Sequence, residues 1–258
     1  MPDYILRSTV DFVTTLRLNR PEKRNALNAG MVREIHDAVR AAARDEGTRV
    51  LVLEGTGSAF CAGADLSYLK EINENSTLEN TADSQALMEM MHAIRTFPKP
   101  TIAKLNGHAI AGGCGLALTC DIVTAATDAR LGFTEVRIGF VPAIVMKLLV
   151  ERTGVGRARE LLLRGNLVTA QEALTLGMVN HVVAGDKLSP FTESLAAELA
   201  SDCSPQAVRL TKQLFDEILP LDLRAAMERG VAFNAISRTS EDFKTGVQSF
   251  LEKKKPEW

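Results

Sequence analysis

Aromatic side chains are scarce in this sequence and make up 5% of its 258 residues. Cysteine is scarcer still, and no two cysteines form a Cys-x-x-Cys pair: they are Cys61, Cys114, Cys120 and Cys203. Disulfide scaffolds and zinc ribbons both need closely spaced cysteines, so the sequence favours neither class. We therefore expect reduced thiols and a cytoplasmic protein, or one of the mitochondrial matrix if the cell is eukaryotic.

A surplus of charge of either sign is also missing, since the formal net charge is −2 and the pI is about 6.1. Nucleic acids and anionic membranes bind basic surfaces, and no basic stripe is visible, so neither partner is expected. No apolar run is long enough to span a bilayer. The histidines are too far apart for the usual spacing of metal ligands, so no metal is expected: they are His36, His92, His108 and His181.

What the sequence has in quantity is aliphatic residues, within a hydrophobic share of 46%. Val13 to Leu18 alternates as a half-buried strand does, and compact apolar runs elsewhere are typical of buried strands. These runs are Val50 to Leu53, Thr101 to Leu105 and Ile122 to Ala125. After Asn28, a plausible N-cap, apolar residues recur at helical spacing, at Val32, Ile35, Val39 and Ala42. This alternation of strands and helices predicts an α/β fold.

The later part of the sequence predicts a different organisation. From Pro142 onward the pattern is almost wholly helical, with helix starts expected near Thr169, Ser204, Leu221 and Glu241. The first of these starts has the Thr-x-x-Glu form of a capping box. The polar stretch from Glu71 to Asp83 predicts a mobile surface segment. We accordingly predict a βα core in residues 1–190 and a helical region in residues 191–258.

Two glycine-rich loops each join a predicted strand to a predicted helix. One contains Phe60-Cys-Ala-Gly-Ala-Asp65 and the other Ala111-Gly-Gly-Cys-Gly115. Small residues let backbone N–H groups approach a ligand closely, and a helix N-terminus adds the positive end of its dipole. Two such N–H groups converging on one point would stabilise an oxyanion. The alternative is that the small residues serve only the close packing of helix on sheet.

Other glycine-rich sites do not match in detail. The sequence has no Gly-Lys-Ser or Gly-Lys-Thr, so it has no phosphate-binding P-loop. The segment from Gly55 to Phe60 lacks the third glycine of a dinucleotide-binding fingerprint. No Gly-x-Ser-x-Gly is present, so a serine nucleophile has no support.

Glu135 is the carboxylate that we single out, because it lies in the mostly apolar stretch Leu131 to Gly139. A carboxyl group desolvated among apolar side chains has its pKa raised toward neutrality, which suits a general acid or base. The alternatives for this residue are an ion pair with Arg137 or Arg130, or a helix cap. His108, beside the second loop, is expected to be a structural histidine.

A set of short motifs occurs in order nearly from end to end of the chain. They are Asn19-Arg-Pro-Glu-Lys-Arg-Asn-Ala-Leu27, Phe60-Cys-Ala-Gly-Ala-Asp65, Lys99-Pro-Thr-Ile-Ala-Lys-Leu-Asn-Gly107, Ala111-Gly-Gly-Cys, Leu118-Thr-Cys-Asp121, Thr169-Ala-Gln-Glu-Ala173, Gly177-Met-Val179, Ser240-Glu-Asp-Phe-Lys-Thr-Gly246 and Phe250-Leu-Glu-Lys. Taken together and in this order, they resemble the enoyl-CoA hydratase/isomerase superfamily, also called the crotonase family.

The resemblance implies a crotonase-like spiral of ββα repeats with a helical C-terminal trimerisation region. It implies a homotrimer or a dimer of trimers, and an acyl-CoA thioester as the substrate. Ala64 and Gly112 match positions whose backbone N–H groups hold the thioester oxygen, and Glu135 matches a catalytic glutamate. Coenzyme A would contact Lys23, Arg24, Ala26, Leu27, Ala62, Asp65, Leu66 and Lys244. The alternative for Lys244 is a place in a solvated basic tail.

The chain departs from the family pattern at two places. Typical two-glutamate hydratases of the family carry their first glutamate where this chain has Gly115. They also carry Pro-Gly-x-Gly-Gly where this chain has Val141-Pro-Ala-Ile-Val-Met146. The sequence therefore indicates a site with one carboxylate and an apolar far wall.

This departure leaves the reaction open between two chemistries. Moving a double bond needs one base that carries a proton between the α- and γ-carbons, so a double-bond isomerase that uses Glu135 is one alternative. The segment from Thr134 to Val145 is similar to bacterial branched-chain glutaconyl-CoA hydratases, and it favours an enoyl-CoA hydratase acting on a branched or glutaconyl-type substrate. A second alternative is a protein that binds acyl-CoA without transforming it. Hydration and isomerisation at a thioester need neither a redox cofactor nor a metal, so none is expected. Coenzyme A is part of the substrate.

Overall fold

The computed structural model describes residues 3–258, which form two β-sheets with helices packed on them. The strands are β1 (Ile5–Val10), β2 (Val13–Leu18), β3 (Val50–Gly55), β4 (Ala59–Cys61), β5 (Thr101–Leu105), β6 (His108–Ile110), β7 (Ile122–Ala126), β8 (Arg130–Gly132), β9 (Leu167–Thr169) and β10 (His181–Val183). The helices are α1 (Ala29–Arg44), α2 (Leu66–Ile72), α3 (Thr77–Arg95), α4 (Gly112–Leu118), α5 (Met146–Thr153), α6 (Val155–Arg164), α7 (Ala170–Leu176), α8 (Gly185–Ser201), α9 (Pro205–Ile218), α10 (Leu223–Arg238) and α11 (Glu241–Leu251). Short 3-10 helices cover Pro21–Lys23 and Glu135–Ile138.

The six-stranded sheet, called here the main sheet, has the order β1-β2-β3-β5-β7-β10. Its first pair is antiparallel and every later pair is parallel. Its strands also follow one another in sequence order. Parallel sheets need cover on both faces, and β3 shows how this is met. Leu51 and Leu53 belong to the large core cluster that includes α1 and α3 residues, whereas Val50 and Val52 pack with the α8 residue Ala196.

The four-stranded sheet, called here the small sheet, has the order β4-β6-β8-β9. Its first three strands are parallel neighbours, and β9 is antiparallel to β8. The carboxyl ends of parallel strands meet at one edge of a sheet. The loops that follow β4, β6 and β8 therefore start side by side, and they lead into α2, α4 and the 3-10 helix at Glu135–Ile138.

Several predicted helix starts are confirmed in their atomic detail. Asn28 caps α1 by accepting a hydrogen bond from the backbone N–H of Met31 at 2.9 Å. Thr169 and Glu172 form the reciprocal capping box that the sequence predicted at the start of α7. The Ser204 side chain caps α9, which begins at Pro205. These caps fix the helix starts because each side chain satisfies an N–H group that has no partner inside its helix.

Two details of the secondary structure add to what the sequence patterns predicted. The stretch from Glu71 to Asp83 lies on the surface as predicted, and α2 and α3 occupy most of it, with a capping box of Ser76 and Glu79 at the start of α3. Its mobility stays a prediction. The chain after Pro142 is almost wholly helical, as predicted, with two short strands as the exceptions. Strands β9 and β10 interrupt it and complete the small and main sheets, and each is too short for a clear strand period in the sequence.

The C-terminal helices are packed mainly on one another, as α9 contacts both α10 and α11. Helix α8 instead packs on the main sheet, against β3, β5 and β7. The predicted division after residue 190 falls inside α8, and the two-part organisation of the chain stays a prediction. No helix in residues 3–258 combines the length and the apolar character needed to cross a membrane.

Candidate active site

The three loops at the carboxyl edge of the small sheet bring the predicted catalytic groups together. Ala64 follows β4, Gly112 follows β6 and Glu135 follows β8, each within a few residues of its strand end. Because β6 lies between β4 and β8, Gly112 lies on the central loop of the three. The sheet therefore places two candidate N–H donors and one carboxylate at a common edge.

The backbone direction at Ala64 is set by a parallel bridge to Leu27. The N–H of Leu27 donates to the carbonyl of Gly63 at 2.7 Å, and the N–H of Asp65 donates to the carbonyl of Leu27 at 2.8 Å. In such a bridge the residue between the two bonded neighbours directs its own N–H to the opposite side. Ala64 is exposed, and its N–H donates to no acceptor within the described chain.

The second donor, Gly112, is the first residue of α4, where helix geometry leaves N–H groups without partners. The preceding residue, Ala111, has φ 52° and ψ −125°, in a region that alanine rarely adopts. Its own N–H donates to the carbonyl of Gly132 at 2.8 Å and its carbonyl accepts from Gly115 at 3.0 Å, so both ends of this residue are held. This conformation of Ala111 sets the orientation of the Ala111–Gly112 peptide. Backbone strain that the surrounding contacts keep in place is typical of functional sites.

The two donor loops are in direct contact. A Cβ atom on Gly63 would stand 2.9 Å from the carbonyl oxygen of Ile110, and one on Gly113 would stand 2.3 Å from that of Cys61. The packing hypothesis for these glycines is therefore correct. It does not exclude the oxyanion hypothesis, because the same absence of side chains lets the loops carrying Ala64 and Gly112 approach each other.

Glu135 is buried, with 7% of its surface exposed, and its Oε2 atom has no hydrogen-bond partner in the described chain. Burial raises the pKa of this carboxyl above its ordinary value, and a hydrogen bond from its own backbone N–H offsets part of that rise. The alternative ion pairs with Arg130 and Arg137 do not form, since neither pair is among the salt bridges of the described residues. Glu135 is thus a desolvated carboxyl without a counter-ion, which is the state expected of an acid–base catalyst.

Gly115 stands where a two-glutamate hydratase would carry its first glutamate, and it packs against two apolar side chains. A Cβ atom on Gly115 would stand 2.1 Å from Cγ1 of Val145 and 3.2 Å from Cε of Met91. Val145 and Met91 are each only 3% exposed. Any side chain at residue 115 would have to displace Val145, so the apolar wall predicted from the sequence occupies this place.

The residues predicted to contact coenzyme A fall into two neighbouring loops and one distant helix. The loops at residues 23–27 and 62–66 are joined by backbone hydrogen bonds, such as that from the N–H of Ala62 to the carbonyl of Arg24 at 3.0 Å. Lys23, Arg24 and Leu66 are exposed, whereas Ala26, Leu27 and Asp65 are buried. Lys244 lies on α11, where its ammonium pairs with Glu241 at 2.7 Å, and no recorded hydrogen bond or ion pair joins it to either loop.

The thiols beside the donor loops are unsuited to nucleophilic chemistry. Burial raises the pKa of Cys61 and of Cys114 to about 12 in each case. Because the thiolate is the reactive form, both side chains behave as small apolar residues. His108, at the start of β6, is exposed and accepts a hydrogen bond from the backbone N–H of Arg130 at 3.2 Å, which fits the structural role expected for it.

A cavity of about 590 Å³ lies elsewhere, between α9 and the body of the fold. Its apolar lining includes Leu118, Leu148, Val208, Phe215 and Leu219. None of the predicted site residues borders it, and among its charged side chains Lys212 is paired with Asp121 at 2.7 Å. The predicted site residues therefore lie away from this cavity, at the edge of the small sheet.

Metal binding finds no support in the arrangement of side chains. Across the part of the chain that the structure describes, no group of three or more His, Cys, Asp or Glu residues is placed to hold a metal ion. The chemistry that the geometry offers is polarisation of a carbonyl oxygen by two N–H groups beside a single acid–base carboxyl.

Three structural features of this site were not predicted from the sequence. The strain at Ala111, the contact of Val145 with Gly115 and the contacts of Arg20 with Ala26 and Asp65 all depend on tertiary structure. Only Ala111 left a signal in the sequence, as a small non-glycine residue directly before a Gly-Gly pair.

Comparison with known proteins gives consistent matches across almost the whole chain. The profile of the Enoyl-CoA hydratase/isomerase family matches residues 9–258. A Thermus thermophilus protein provisionally named an enoyl-CoA hydratase is 42% identical over 244 residues, which are 95% of this chain and 96% of that protein. The 2,3-dehydroadipyl-CoA hydratase of Escherichia coli is 33% identical over 247 residues, which are 95% of this chain and 94% of that enzyme.

Solved structures agree with the sequence matches. An enoyl-CoA hydratase from Mycobacterium smegmatis superposes with a TM-score of 0.93 at 33% identity, covering 99% of this chain and 98% of that one. The crotonase-like fold predicted from the sequence is therefore confirmed.

Proposed function

This chain belongs to the enoyl-CoA hydratase/isomerase family, and on that premise we propose that Glu135 is the one acid–base carboxylate of an enzyme that hydrates an enoyl-CoA thioester. The family makes the chain an enzyme of acyl-CoA thioesters rather than a passive binder. The observation that carries the proposal is the buried, unpaired Glu135 at the sheet edge that also bears Ala64 and Gly112.

In the proposed reaction, the thioester oxygen accepts hydrogen bonds from the N–H groups of Ala64 and Gly112. Glu135 takes a proton from a water molecule as the water oxygen bonds to the β-carbon, and the double-bond electrons move onto the thioester as an enolate. The donors stabilise this enolate because its charge develops on the oxygen that they face. Glu135 then returns the proton to the α-carbon, so one carboxyl serves both proton transfers.

The structure gives a specific reason to keep isomerisation as the second candidate. Val145 fills the place beside Gly115 where a second carboxylate would help to hold water. An isomerase needs no water, because Glu135 alone would take a proton from the α-carbon and return it to the γ-carbon. The names of the relatives favour hydration, since they include a crotonyl-CoA hydratase of Syntrophomonas wolfei, 34% identical over 245 residues.

We propose a substrate with a branched or carboxylated acyl chain, of glutaconyl type. The similarity to an enzyme named for 2,3-dehydroadipyl-CoA supports this proposal, because that substrate is an enoyl-CoA ending in a carboxylate. The segment after Glu135 contributes apolar side chains that are largely exposed in the single chain, namely Ile138, Phe140 and Val141. Apolar groups of this kind suit a branched acyl chain.

The deciding experiment incubates the protein in heavy water with crotonyl-CoA, 3-hexenoyl-CoA and 3-methylglutaconyl-CoA, and follows the products by mass spectrometry. We expect a gain of one water and one carbon-bound deuterium on a 2-enoyl ester, with the largest rate on 3-methylglutaconyl-CoA. A shifted double bond with deuterium exchange and no added water would establish the isomerase. No reaction on any ester would refute both candidates.

We propose that the working form is a homotrimer or a dimer of trimers. Large apolar side chains on the C-terminal helices are exposed in the single chain, at Leu223, Met227, Val231, Phe250 and Leu251. A monomeric protein rarely leaves so much apolar surface in water. Light scattering should give three or six times the 28.0 kDa mass of one chain, and a mass of 28.0 kDa would refute the proposal.

We further propose that catalysis needs neither a metal nor a redox cofactor and takes place in the cytoplasm, or in the matrix of a eukaryotic cell. Relatives from Dictyostelium discoideum and Homo sapiens carry the word mitochondrial in their names, which supports the second location. Turnover should survive dialysis against a strong chelator. Fractionation of the source cells should recover the protein with other acyl-CoA enzymes.

A further inference from the structure

The segment that carries Ala64 is joined along its length to the loop at residues 20–27. Besides the bridge between Leu27 and Ala64, the N–H of Ala62 donates to the carbonyl of Arg24 at 3.0 Å. The direction of the Ala64 N–H therefore depends on the position of this loop.

The loop at residues 20–27 has a backbone that does not hold its shape by itself. Arg24 and Asn25 are consecutive non-glycine residues with φ of 51° and 55°, in the left-handed region that costs such residues energy. Asn25 is fully buried, and its amide donates to the carbonyls of Thr56 at 2.9 Å and Ala59 at 2.8 Å. A conformation of this kind persists only where surrounding contacts enforce it.

Arg20 joins the loop to the segment that carries Ala64. One nitrogen of its guanidinium donates to the carbonyl of Ala26 at 2.7 Å, and another donates to the carboxylate of Asp65 at 2.8 Å. The Arg20 and Asp65 side chains are 13% and 8% exposed, so water screens the pair only weakly. The second carboxylate oxygen of Asp65 accepts from the N–H of Ser67 at 2.9 Å and caps α2.

Asp65 is the residue directly after Ala64, and Ala26 is the residue directly before its bridge partner Leu27. The planar fork of Arg20 therefore holds the residue next to each member of the bridge. A lysine ammonium is a point charge on a flexible stem and lacks the planar fork that keeps two acceptors in a fixed relative orientation. The guanidinium of Arg20 thus adds an arginine-specific constraint to the backbone bridge between the loop and the Ala64 segment.

We propose that Arg20 is a positioning residue for the oxyanion donor: through Asp65 and Ala26 it fixes the direction of the Ala64 N–H. This inference rests on the proposed function, in which that N–H polarises the thioester carbonyl. A hydrogen bond weakens steeply as its donor turns away from the acceptor, so a small rotation at Ala64 reduces stabilisation of the enolate more than it reduces binding of the ester.

The test compares Arg20→Lys with Arg17→Lys. Arg17 is a matched control because it also pairs with a buried carboxylate, that of Glu54, but on the main sheet. We expect Arg20→Lys to lower kcat about tenfold, the order of effect for impairing one oxyanion donor without removing it, while KM changes less than about threefold. Arg17→Lys should leave both constants near the wild-type values.

A spectroscopic measurement separates positioning from a general loss of stability. A conjugated aryl enoyl-CoA absorbs at longer wavelength when its carbonyl oxygen is polarised, and we expect this shift to be smaller on Arg20→Lys than on the wild type at equal occupancy. The same shift on both proteins would overturn the inference. The absence of any shift on the wild-type protein would refute the proposed oxyanion hole itself, and this inference with it.

Asp65→Asn gives a second and independent variant. Its amide oxygen still accepts from the N–H of Ser67 and caps α2, but the charge that holds Arg20 is gone. If the two residues act as one unit, the double variant Arg20→Lys with Asp65→Asn should be no slower than the slower single variant. Additive losses in kcat would contradict a shared positioning role.

Discussion

One buried glutamate lies in the main sheet and another lies beside the small sheet, and the two residues have opposite surroundings. Glu54 on β3 is 5% exposed, and its carboxylate contacts Arg17 on β2 and Lys104 on β5. These cations are its partners in strand register, one on each side. Glu135, beside the small sheet, is 7% exposed and forms no salt bridge with any cation in residues 3–258.

The difference shows how burial has separate consequences in the two regions. A buried carboxylate placed between two cations ties the neighbouring strands together. A buried carboxyl without a counter-ion is held in a high-energy state when ionised, so it exchanges protons at a higher pH than usual. Glu54 therefore contributes to the cohesion of the main sheet, whereas Glu135 has the surroundings that the proposed acid–base role requires.

The largest expected effect comes from removing the acid–base function. Glu135→Gln should lower turnover by about a thousandfold, within the range for loss of a general acid–base group, and leave the Kd for a CoA ester within about threefold. Turnover and calorimetric binding measure the two quantities. Glu54→Gln is the matched control and should retain turnover. Full activity in Glu135→Gln would show that another group moves the proton.

The second expected effect is on the free energy of unfolding, which depends on Glu54 rather than on Glu135. Glu54→Gln should lower the free energy of unfolding by about 3 kcal/mol, because it leaves Lys104 with a buried charge that nothing balances. Glu135→Gln should leave that free energy unchanged or raise it, since the lost charge had no partner. Urea denaturation of both variants at neutral pH measures the contrast. Equal losses of stability would mean that Glu135 also serves cohesion.

The third expected effect concerns the packing around the unpaired glutamate. Gly115→Ala should lower the free energy of unfolding by about 2 kcal/mol, because its Cβ atom would overlap Val145 and overpacking costs energy in this range. Gly115→Ala with Val145→Ala should recover most of the loss. Thermal unfolding of the single and double variants checks this expectation. A neutral single variant would mean that the wall beside the site is loose.

The smallest expected effect is on the pH dependence of stability. Because the folded state raises the pKa of Glu135, folding is penalised once pH exceeds the unfolded value of 4.5. The penalty grows until pH passes the folded pKa and is constant above it. The stability of the wild type relative to Glu135→Gln should therefore fall as pH rises from 4.5, as urea midpoints at several pH values would show. A rise over this window would mean that Glu135 is stabilised as an anion.

The elements that sequence patterns predicted are the ones that local residues determine. Buried strands such as Val50 to Leu53 are legible because cover on both faces requires an unbroken apolar run. By contrast, β4, β6 and β8 have three residues each, too few for a period to show. The polar stretch from Glu71 to Asp83 shows no apolar period, and its one local sign of helix is the Ser-x-x-Glu capping box that starts α3.

The candidate site likewise has features that the sequence predicted and features that it did not. The donor loops and Glu135 were identifiable because small residues and an isolated acid in an apolar stretch have direct chemical meaning. Val145 lies 30 positions from Gly115, and Arg20 lies 45 from Asp65, so their contacts depend on tertiary structure. Asp65 was predicted to contact coenzyme A, and its carboxylate instead bonds Arg20 and Ser67; the predicted contact stays a prediction.

The main sheet adds its strands in the order in which they occur in the chain, from β1 through β10. A ribosome releases the polypeptide from its amino end, at about 5–20 residues each second. Each new strand of this sheet can therefore settle against an edge that has already been translated, without waiting for a later one. The exposed edge moves along with synthesis, and α8, which packs on β3, β5 and β7, emerges after all three of them.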